Sequence, residues 1–288
     1  MRVTPTETGG LLLVDKPAGI TSHDVVAAVR RATKVRRVGH AGTLDPFATG
    51  LLVVLVGRGT RLIPFIDGEP KVYDATIRFG EETDTDDLSG AGVRSALPPD
   101  ENTIMTVVAA LTGEFEQVPP AYSAKQVDGT RAYAAARVGA PIALAPVIVR
   151  VHEWQLLGRT DRDLQVRIRC GGGTYIRALA RDLGRLTDSA AHLAALRRVG
   201  AGPFSVEQAT SLEDIQRGDF ALRPLQDAIP SLPRLRLDAT ERARIVHGNP
   251  IANRASASRV ALLDADELIA VADDHAGVLQ PRLVLRDA

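Results

Sequence analysis

The order of apolar and polar positions marks out most of the secondary structure. Gly10-Leu11-Leu12-Leu13-Val14 is a short apolar run that ends in Asp15-Lys16-Pro17, the pattern of a strand closing in a charged turn. Leu51-Leu52-Val53-Val54-Leu55-Val56 lies between Gly50 and Gly57 and predicts a strand buried on both faces. From Lys71 to Phe79 the chain alternates: Tyr73, Ala75, Ile77 and Phe79 share one face, and Asp74, Thr76 and Arg78 share the other, as a half-buried strand requires. Residues 164–170 alternate in the same way, and 147–151 predicts another strand. Helical spacing follows Thr21 and Ser22, either of which can cap a helix with Asp24 in its first turn and Val25, Val26 and Val29 on its apolar face. It recurs at Ile104, Val107, Val108 and Leu111, predicting a helix over 103–111 with Gly113 as its stop. Ile176, Leu179, Ala180 and Leu183 form a third apolar face, entered from Gly171-Gly172-Gly173-Thr174, and Tyr133 opens a short Ala-rich helix. Strands and helices mixed without regular βαβ alternation predict an α+β fold.

Pro230-Ser231-Leu232-Pro233 reads as a linker. Beyond it, short apolar stretches at 260–263, 268–271 and 283–285, separated by polar turns, predict a small β-barrel, while 249–259 shows no regular pattern. The expected division is therefore 1–230 and 231–288, with residues 1–9 as a loose tail. A length of 288 residues suits one large or two ordinary domains.

Charge narrows the classes of partner. Thirty-five basic residues balance 35 acidic ones, which excludes a generally basic nucleic-acid coat and confines any RNA binding to a local patch. Arg30-Arg31-Ala32-Thr33-Lys34-Val35-Arg36-Arg37 is such a patch; it reads either as a solvated helix end or as a phosphate-binding surface. The acidic run Gly80-Glu81-Glu82-Thr83-Asp84-Thr85-Asp86-Asp87 lacks the glycine and terminal glutamate of a helix-loop-helix calcium site. A single cysteine, Cys170, excludes a disulfide framework or a zinc cluster and reads as a small core residue. The start of the chain has no charged-then-apolar signal pattern, and no apolar run approaches the ~20 residues of a membrane span. A soluble cytoplasmic protein is expected.

Candidate chemistry concentrates in Gly39-His40-Ala41-Gly42-Thr43-Leu44-Asp45-Pro46-Phe47-Ala48-Thr49-Gly50. Its glycines and proline break any regular element, and Pro46 restricts Asp45 to extended geometry. Asp45 reads either as a turn former bonding nearby amides or as a reactive carboxylate presented by a rigid loop. His40 reads as a loop histidine or a substrate contact. Tyr73 is, by pattern, the first core-facing aromatic of its strand. Arg177, Arg181 and Arg185 recur every four residues and read as a solvated stripe. Lys16 is either structural or an RNA contact. The strand, glycine turn and helix at 164–183 carry neither nucleotide-binding fingerprint.

Gly39-His40-x-Gly42-x-Leu44-Asp45-Pro46, followed by Ala48-Thr49-Gly50-Leu51-Leu52, resembles the signature loop of the tRNA pseudouridine synthase B family. So do Leu11-Leu12-x-x-Asp15-Lys16-Pro17-x-Gly19-Ile20-Thr21-Ser22, Lys71-x-Tyr73, Thr83-Asp84-Thr85-Asp86-Asp87, Pro120-Ala121-Tyr122-Ser123-Ala124, Cys170-x-x-Gly173-Thr174-Tyr175-Ile176-Arg177 and the segment 191–204. The resemblance implies the pseudouridine synthase fold, a mixed and largely antiparallel sheet with flanking helices, closed by a PUA-like RNA-binding barrel. It makes Asp45 the nucleophile and His40 a substrate contact. Tyr73 would stack on the target base, Tyr175 would contact the target nucleotide, Leu196 would wall the pocket, and Arg177 would pair with the catalytic aspartate. The segment 118–125 would border the cleft; His192 receives no role. The implied reaction converts the T-loop uridine of tRNA, position 55, to pseudouridine, on a nucleotide flipped out of its stack. The expected partner is the T arm of tRNA, with no metal or other cofactor, no membrane and no protein partner, and the chain is expected to be a monomer. Two other classes compete: a non-catalytic tRNA-binding or folding chaperone, and a carboxylate-dependent hydrolase, which calls for a second acid near Asp45 that the motif lacks.

Overall fold

The structure, a computed structural model, describes residues 9–122, 126–127, 130–131 and 144–285. The tail up to residue 8, Ser123 to Lys125 of the expected cleft-bordering loop, and the helix expected from Tyr133 lie outside the described residues. The chain divides into two compact units, one made of Met1–Pro46, Gly50–Gly68 and Pro203–Ala288, the other of Phe47–Thr49 and Glu69–Gly202.

In the first unit the strand Gly10–Lys16 runs antiparallel to Thr49–Val56, in a register from Gly10 opposite Val56 to Lys16 opposite Gly50. Val38–Ala41 pairs antiparallel with the same strand, and Thr210–Ser211 runs parallel to Gly10–Lys16. Leu51 to Val56 are all buried, as their unbroken apolar run requires. The helix Ser22–Thr33 is capped by Thr21 in a capping box with Asp24 and lays Val25, Val26 and Val29 against Leu12, Val14, Leu52 and Val54. It ends at Lys34, whose φ of 58° turns the chain out of the helix.

The C-terminal part of this unit is a curled, five-stranded half-barrel. Its strand order is Arg234–Arg236, Arg259–Asp264, Glu267–His275, Val278–Val284 and Ile251–Ala252. Leu235, Ile245, Val260, Leu262, Ala270 and Leu279 form its core. It is fastened to the short helix Gly57–Phe65 by backbone acceptors: Arg58 donates to the Leu285 carbonyl at 3.2 Å and Arg61 to the Val284 carbonyl at 2.6 Å.

The second unit holds five antiparallel strands in the order Ala191–Ala201, Lys71–Phe79, Asp163–Cys170, Val147–Arg159 and Gly113–Gln117. The alternation read from the sequence appears as burial: Tyr73, Ala75, Ile77 and Phe79 are buried on one strand, and Leu164, Val166, Ile168 and Cys170 on its neighbour. The helices Glu101–Ala110 and Ile176–Leu186 complete the α+β arrangement. Gly184 lets the second of these lie directly on the strand Ala191–Ala201, since a Cβ there would sit 2.5 Å from the Ala191 nitrogen.

Candidate active site

Asp45 belongs to the first unit and is clamped from both sides along the chain. Before it, the Leu44 amide donates to Ser22 Oγ at 3.0 Å, and Ser22 Oγ donates back to the Leu44 carbonyl at 3.2 Å. After it, the Pro46 carbonyl accepts from the Gly19 amide at 2.8 Å and from Lys16 Nζ at 3.2 Å. Lys16 is fully buried and also donates to the carbonyls of Ile20 at 2.7 Å and Pro17 at 3.0 Å. A buried ammonium that donates to three carbonyls is a brace rather than a surface contact. This decides between the two readings of Lys16 in favour of structure. The segment Lys16 to Ser22 thus forms a cradle for the Asp45 loop, with Gly42 in the left-handed region at φ 89° where the loop turns. The sequence offered Ser22 only as a candidate helix cap, a role that Thr21 takes, and gave Gly19 no role; the signal for both was that they belong to the same opening motif as Lys16. His40 is half-buried on Val38–Ala41, opposite Val54, with the ring of His23 edge-on at 5.8 Å.

Tyr73, Tyr175, Arg177 and Leu196 belong to the second unit. Tyr73 is buried, with Ile168 and Arg198 as its cross-strand neighbours, and Leu196 lies opposite Ala75. Directly opposed residues point to the same side of a sheet, so the structure brings Tyr73 and Leu196 onto one face. Lys71 lies two residues from Tyr73 on that face; burial and the neighbouring Arg198 push its ammonium pKa down. Cys170, opposite Lys71, has its thiol pushed up to about 11 by burial, consistent with a core residue.

Tyr175 sits at the start of the helix Ile176–Leu186. Its amide donates to Gln117 Oε1 at 2.9 Å, and Gln117 Nε2 donates to its carbonyl at 3.2 Å. Gln117 is fully buried, so this reciprocal pair fixes where the helix begins and hence where Arg177 projects.

Of the three arginines of that helix, two depart from the reading as a solvated stripe, while Arg185 keeps an exposed side chain. Arg177 and Arg181 are buried. Arg177 donates to the carbonyls of Thr85 and Tyr122, each at 3.0 Å, and lies 3.7 Å from the Asp87 carboxylate. Arg181 pairs with Asp86 at 3.0 Å and donates to the Val118 carbonyl at 2.8 Å. Arg185 reaches Glu82 at 3.0 Å. Three cations four residues apart therefore meet three acids of the segment 82–87. Both charge runs were visible in the sequence, but nothing there joins positions 95 and 103 residues apart. Burial raises Asp86 to about 6 although Arg181, Arg177 and Arg185 all pull it down.

The rest of the acidic segment folds on itself with Asx and Ser/Thr turns. The Asp87 carboxylate accepts from the Ser89 amide and Thr85 Oγ1, both at 2.9 Å, and Asp84 accepts from the Ala91 amide at 2.8 Å. His192 is buried with Nδ1 2.8 Å from the Glu81 carbonyl; a carbonyl only accepts, so Nδ1 carries the proton. Its place is structural, tying the strand Ala191–Ala201 to the start of the acidic segment.

Chemically, the first unit offers one carboxylate on a loop fixed at both ends, and the second offers an aromatic ring on a sheet face and a buried guanidinium. No helix among the described residues is long and apolar enough to cross a membrane.

Comparison with known proteins adds independent findings. Residues 30–176 match the family described as TruB family pseudouridylate synthase (N terminal domain), and residues 177–228 match the tRNA pseudouridylate synthase B C-terminal domain. The tRNA pseudouridine synthase B of Thermobifida fusca is 46% identical over 287 residues, covering 96% of this chain and 98% of its own. That of Mycobacteroides abscessus is 42% identical over 293 residues, covering 99% and 98%. Among solved structures, a chain of a Cbf5-Nop10-Gar1 complex aligns with a TM-score of 0.74 at 24% identity, covering 97% of this chain and 86% of its own. A chain of an H/ACA RNP bound to a substrate RNA containing 2'-deoxyuridine aligns with a TM-score of 0.73 at 23% identity, covering 98% and 86%. The structural likeness shows the fold.

Proposed function

Since the chain belongs to the TruB family of pseudouridylate synthases, we propose that it is a tRNA pseudouridine synthase acting on the T-loop uridine at position 55. The observation that carries this reading is the signature loop itself, intact in sequence and with the backbone on either side of Asp45 held, at Leu44 by Ser22 and at Pro46 by Lys16 and Gly19. A nucleophile held on a pinned loop loses little conformational freedom on attack.

The isomerisation breaks the bond from N1 of uracil to the sugar and makes one from C5, and the proton lost at C5 is balanced by one gained at N1. It is redox-neutral and calls for no electron acceptor. Asp45 is the nucleophile, attacking the sugar or the base, or removing a proton; these routes differ in the covalent adduct they leave. Tyr73 stacks on the flipped base, Leu196 lines its pocket, Tyr175 contacts the target nucleotide, and His40 is a further substrate contact. Arg177 is the cation assigned to the catalytic aspartate; a guanidinium suits a carboxylate that must stay ionised. Residues 1–230 form the catalytic domain and 231–288 a PUA-like module, and the protein works as a cytoplasmic monomer on tRNA.

The test is Asp45→Asn against an unmodified tRNA transcript, with pseudouridine mapped along the product. Conversion should fall below detection while affinity for tRNA changes by less than about threefold, well under 1 kcal/mol. Residual turnover above a few per cent of wild type would remove the nucleophile assignment. A wild-type chain that binds tRNA and never modifies it would leave a binding or chaperone protein in place of an enzyme.

A further inference from the structure

Between Asp24 and Asp45 the chain contains no acidic residue, while five arginines and lysines fall within 30–37. The structure divides these five. Arg30 donates to the Val38 carbonyl at 3.2 Å and so serves the turn that follows the helix. Arg31, Lys34, Arg36 and Arg37 are exposed and make no ion pair among the described residues. The turn that carries them is held in place: Lys34 caps the helix in the left-handed region, and the Gly57 amide donates to the Arg37 carbonyl at 2.7 Å. The helix C-terminus accounts for a cation in its last turn, but Arg36 and Arg37 lie beyond the cap.

The C-terminal half-barrel behaves differently. Residues 231–285 contain seven arginines and seven acids, and Arg234, Arg236, Arg242, Arg254 and Arg259 are all paired with carboxylates. The half-barrel thus pairs five of its seven arginines with carboxylates, whereas the four exposed cations of this turn pair with none among the described residues. That turn leads through Val38–Ala41 into the Asp45 loop. At about 3.3 Å per residue, this strand separates turn and loop by roughly 13 Å, too far for the block to reach the nucleotide held at Asp45.

We propose that Arg31, Lys34, Arg36 and Arg37 form a docking surface for the RNA phosphate backbone, engaging nucleotides that flank the target rather than the target itself. The proposal rests on the reading that the substrate is tRNA. Contacts of this kind position RNA without reading its sequence, and they act through counterion release.

The test uses the full chain with Arg31, Lys34, Arg36 and Arg37 all changed to Gln, and an unmodified tRNA transcript as the probe. The dissociation constant is measured from about 0.05 to 0.3 M KCl, alongside the rate of pseudouridine formation as RNA is raised to saturation. The variant's affinity should fall roughly 10- to 100-fold at 0.1 M salt, and its log–log salt slope should flatten by about two to four, close to one per lost phosphate contact. The loss should lie in the half-saturating RNA concentration rather than in the rate at saturation. A companion variant with Arg31, Arg36 and Arg37 changed to Lys should keep most of the wild-type slope, because charge rather than shape carries the contact. An unchanged slope in the glutamine variant, or a loss confined to the saturating rate, overturns the proposal. Unaltered RNA binding together with lost binding to an acidic protein would assign the surface to that class instead. If the wild-type chain forms no pseudouridine yet the two salt slopes differ as expected, the functional reading fails and the surface stands.

Discussion

Two groups of arginines in this chain do opposite things. Arg177, Arg181 and Arg185 sit every fourth residue along one helix, and Arg177 and Arg181 are buried against the acidic segment 82–87. Arg31, Arg36 and Arg37 crowd a helix end and its turn and remain exposed. Helical spacing gives the first group one face, so a single run of acids can meet all three cations, and burial makes each pair dependent on its partner. Contiguity gives the second group no common face, so its charge stays in water, where it attracts over about 10 Å at ordinary salt. The first group can hold a loop in place; the second can only attract something to it. The side-chain chemistry is the same in both, and the distribution of acids decides the role.

The largest effect expected from this contrast is at Arg181. Replacing it with Met keeps the volume and leaves Asp86, whose side chain is 8% exposed, without its closest cation. Removing one partner of a buried pair costs about 3–5 kcal/mol, and urea unfolding at pH 8 should show a loss of that size with an unchanged m-value. A loss under about 1 kcal/mol, the range of an exposed pair, would mean that the pair is not buried in solution and would collapse the distinction between the two groups.

The next effect is a pH dependence. Burial raises Asp86 from 3.8 to about 6, so between those values the folded chain holds a proton that the unfolded chain has released. Stability contributed by this site is present below about pH 4 and is lost as pH rises to about 6. The stability of wild type relative to Asp86→Asn should therefore fall across that window, by at most about 3 kcal/mol at 1.4 kcal/mol per pH unit. The Arg181→Met penalty should shrink at pH 5, where Asp86 takes up its proton. A difference that instead rises with pH would show that the guanidinium groups outweigh burial, and Asp86 would titrate below 3.8.

Local patterns were legible in the sequence because neighbours in the chain generate them. The buried run 51–56, the alternation of 71–79 and a cap at Thr21 or Ser22 are all read within a dozen residues, and each is found, the cap being Thr21. The glycine-rich stretch 39–50, expected to break regular structure, nevertheless pairs at both ends, within the strands Val38–Ala41 and Thr49–Val56. The candidate site was legible only through motif resemblance, since Asp45 by spacing alone reads more readily as a turn former. What the sequence concealed is long-range pairing. Lys16 reaches Pro46 across 30 residues, and Arg181 reaches Asp86 across 95. A lysine at the end of a strand and arginines at helical intervals both have the pattern of surface residues; only the fold shows that their surroundings are dry. The acidic segment's ion-pair partners come from a helix that starts at Ile176, far along the chain.

The smallest effect is expected at the exposed turn, and its smallness is informative. Arg36→Gln and Arg37→Gln remove side chains that are solvent-exposed and make no ion pair among the described residues. Each should change folding stability by no more than about 0.5 kcal/mol. The sign should be towards stabilisation, because two adjacent cations with Arg31 and Lys34 close by repel one another. Salt screens that repulsion, so the small gain should be visible in thermal unfolding at about 0.02 M salt and vanish by about 0.5 M, where the screening length is only a few ångströms. The Arg181→Met penalty, set inside the unit, should hardly change over the same range. A chain that keeps four exposed cations together at a cost to its own stability has a use for them outside the fold. If the double variant instead loses more than about 1 kcal/mol at every salt concentration, Arg36 and Arg37 are packed into the structure, and the surface argued for them does not exist.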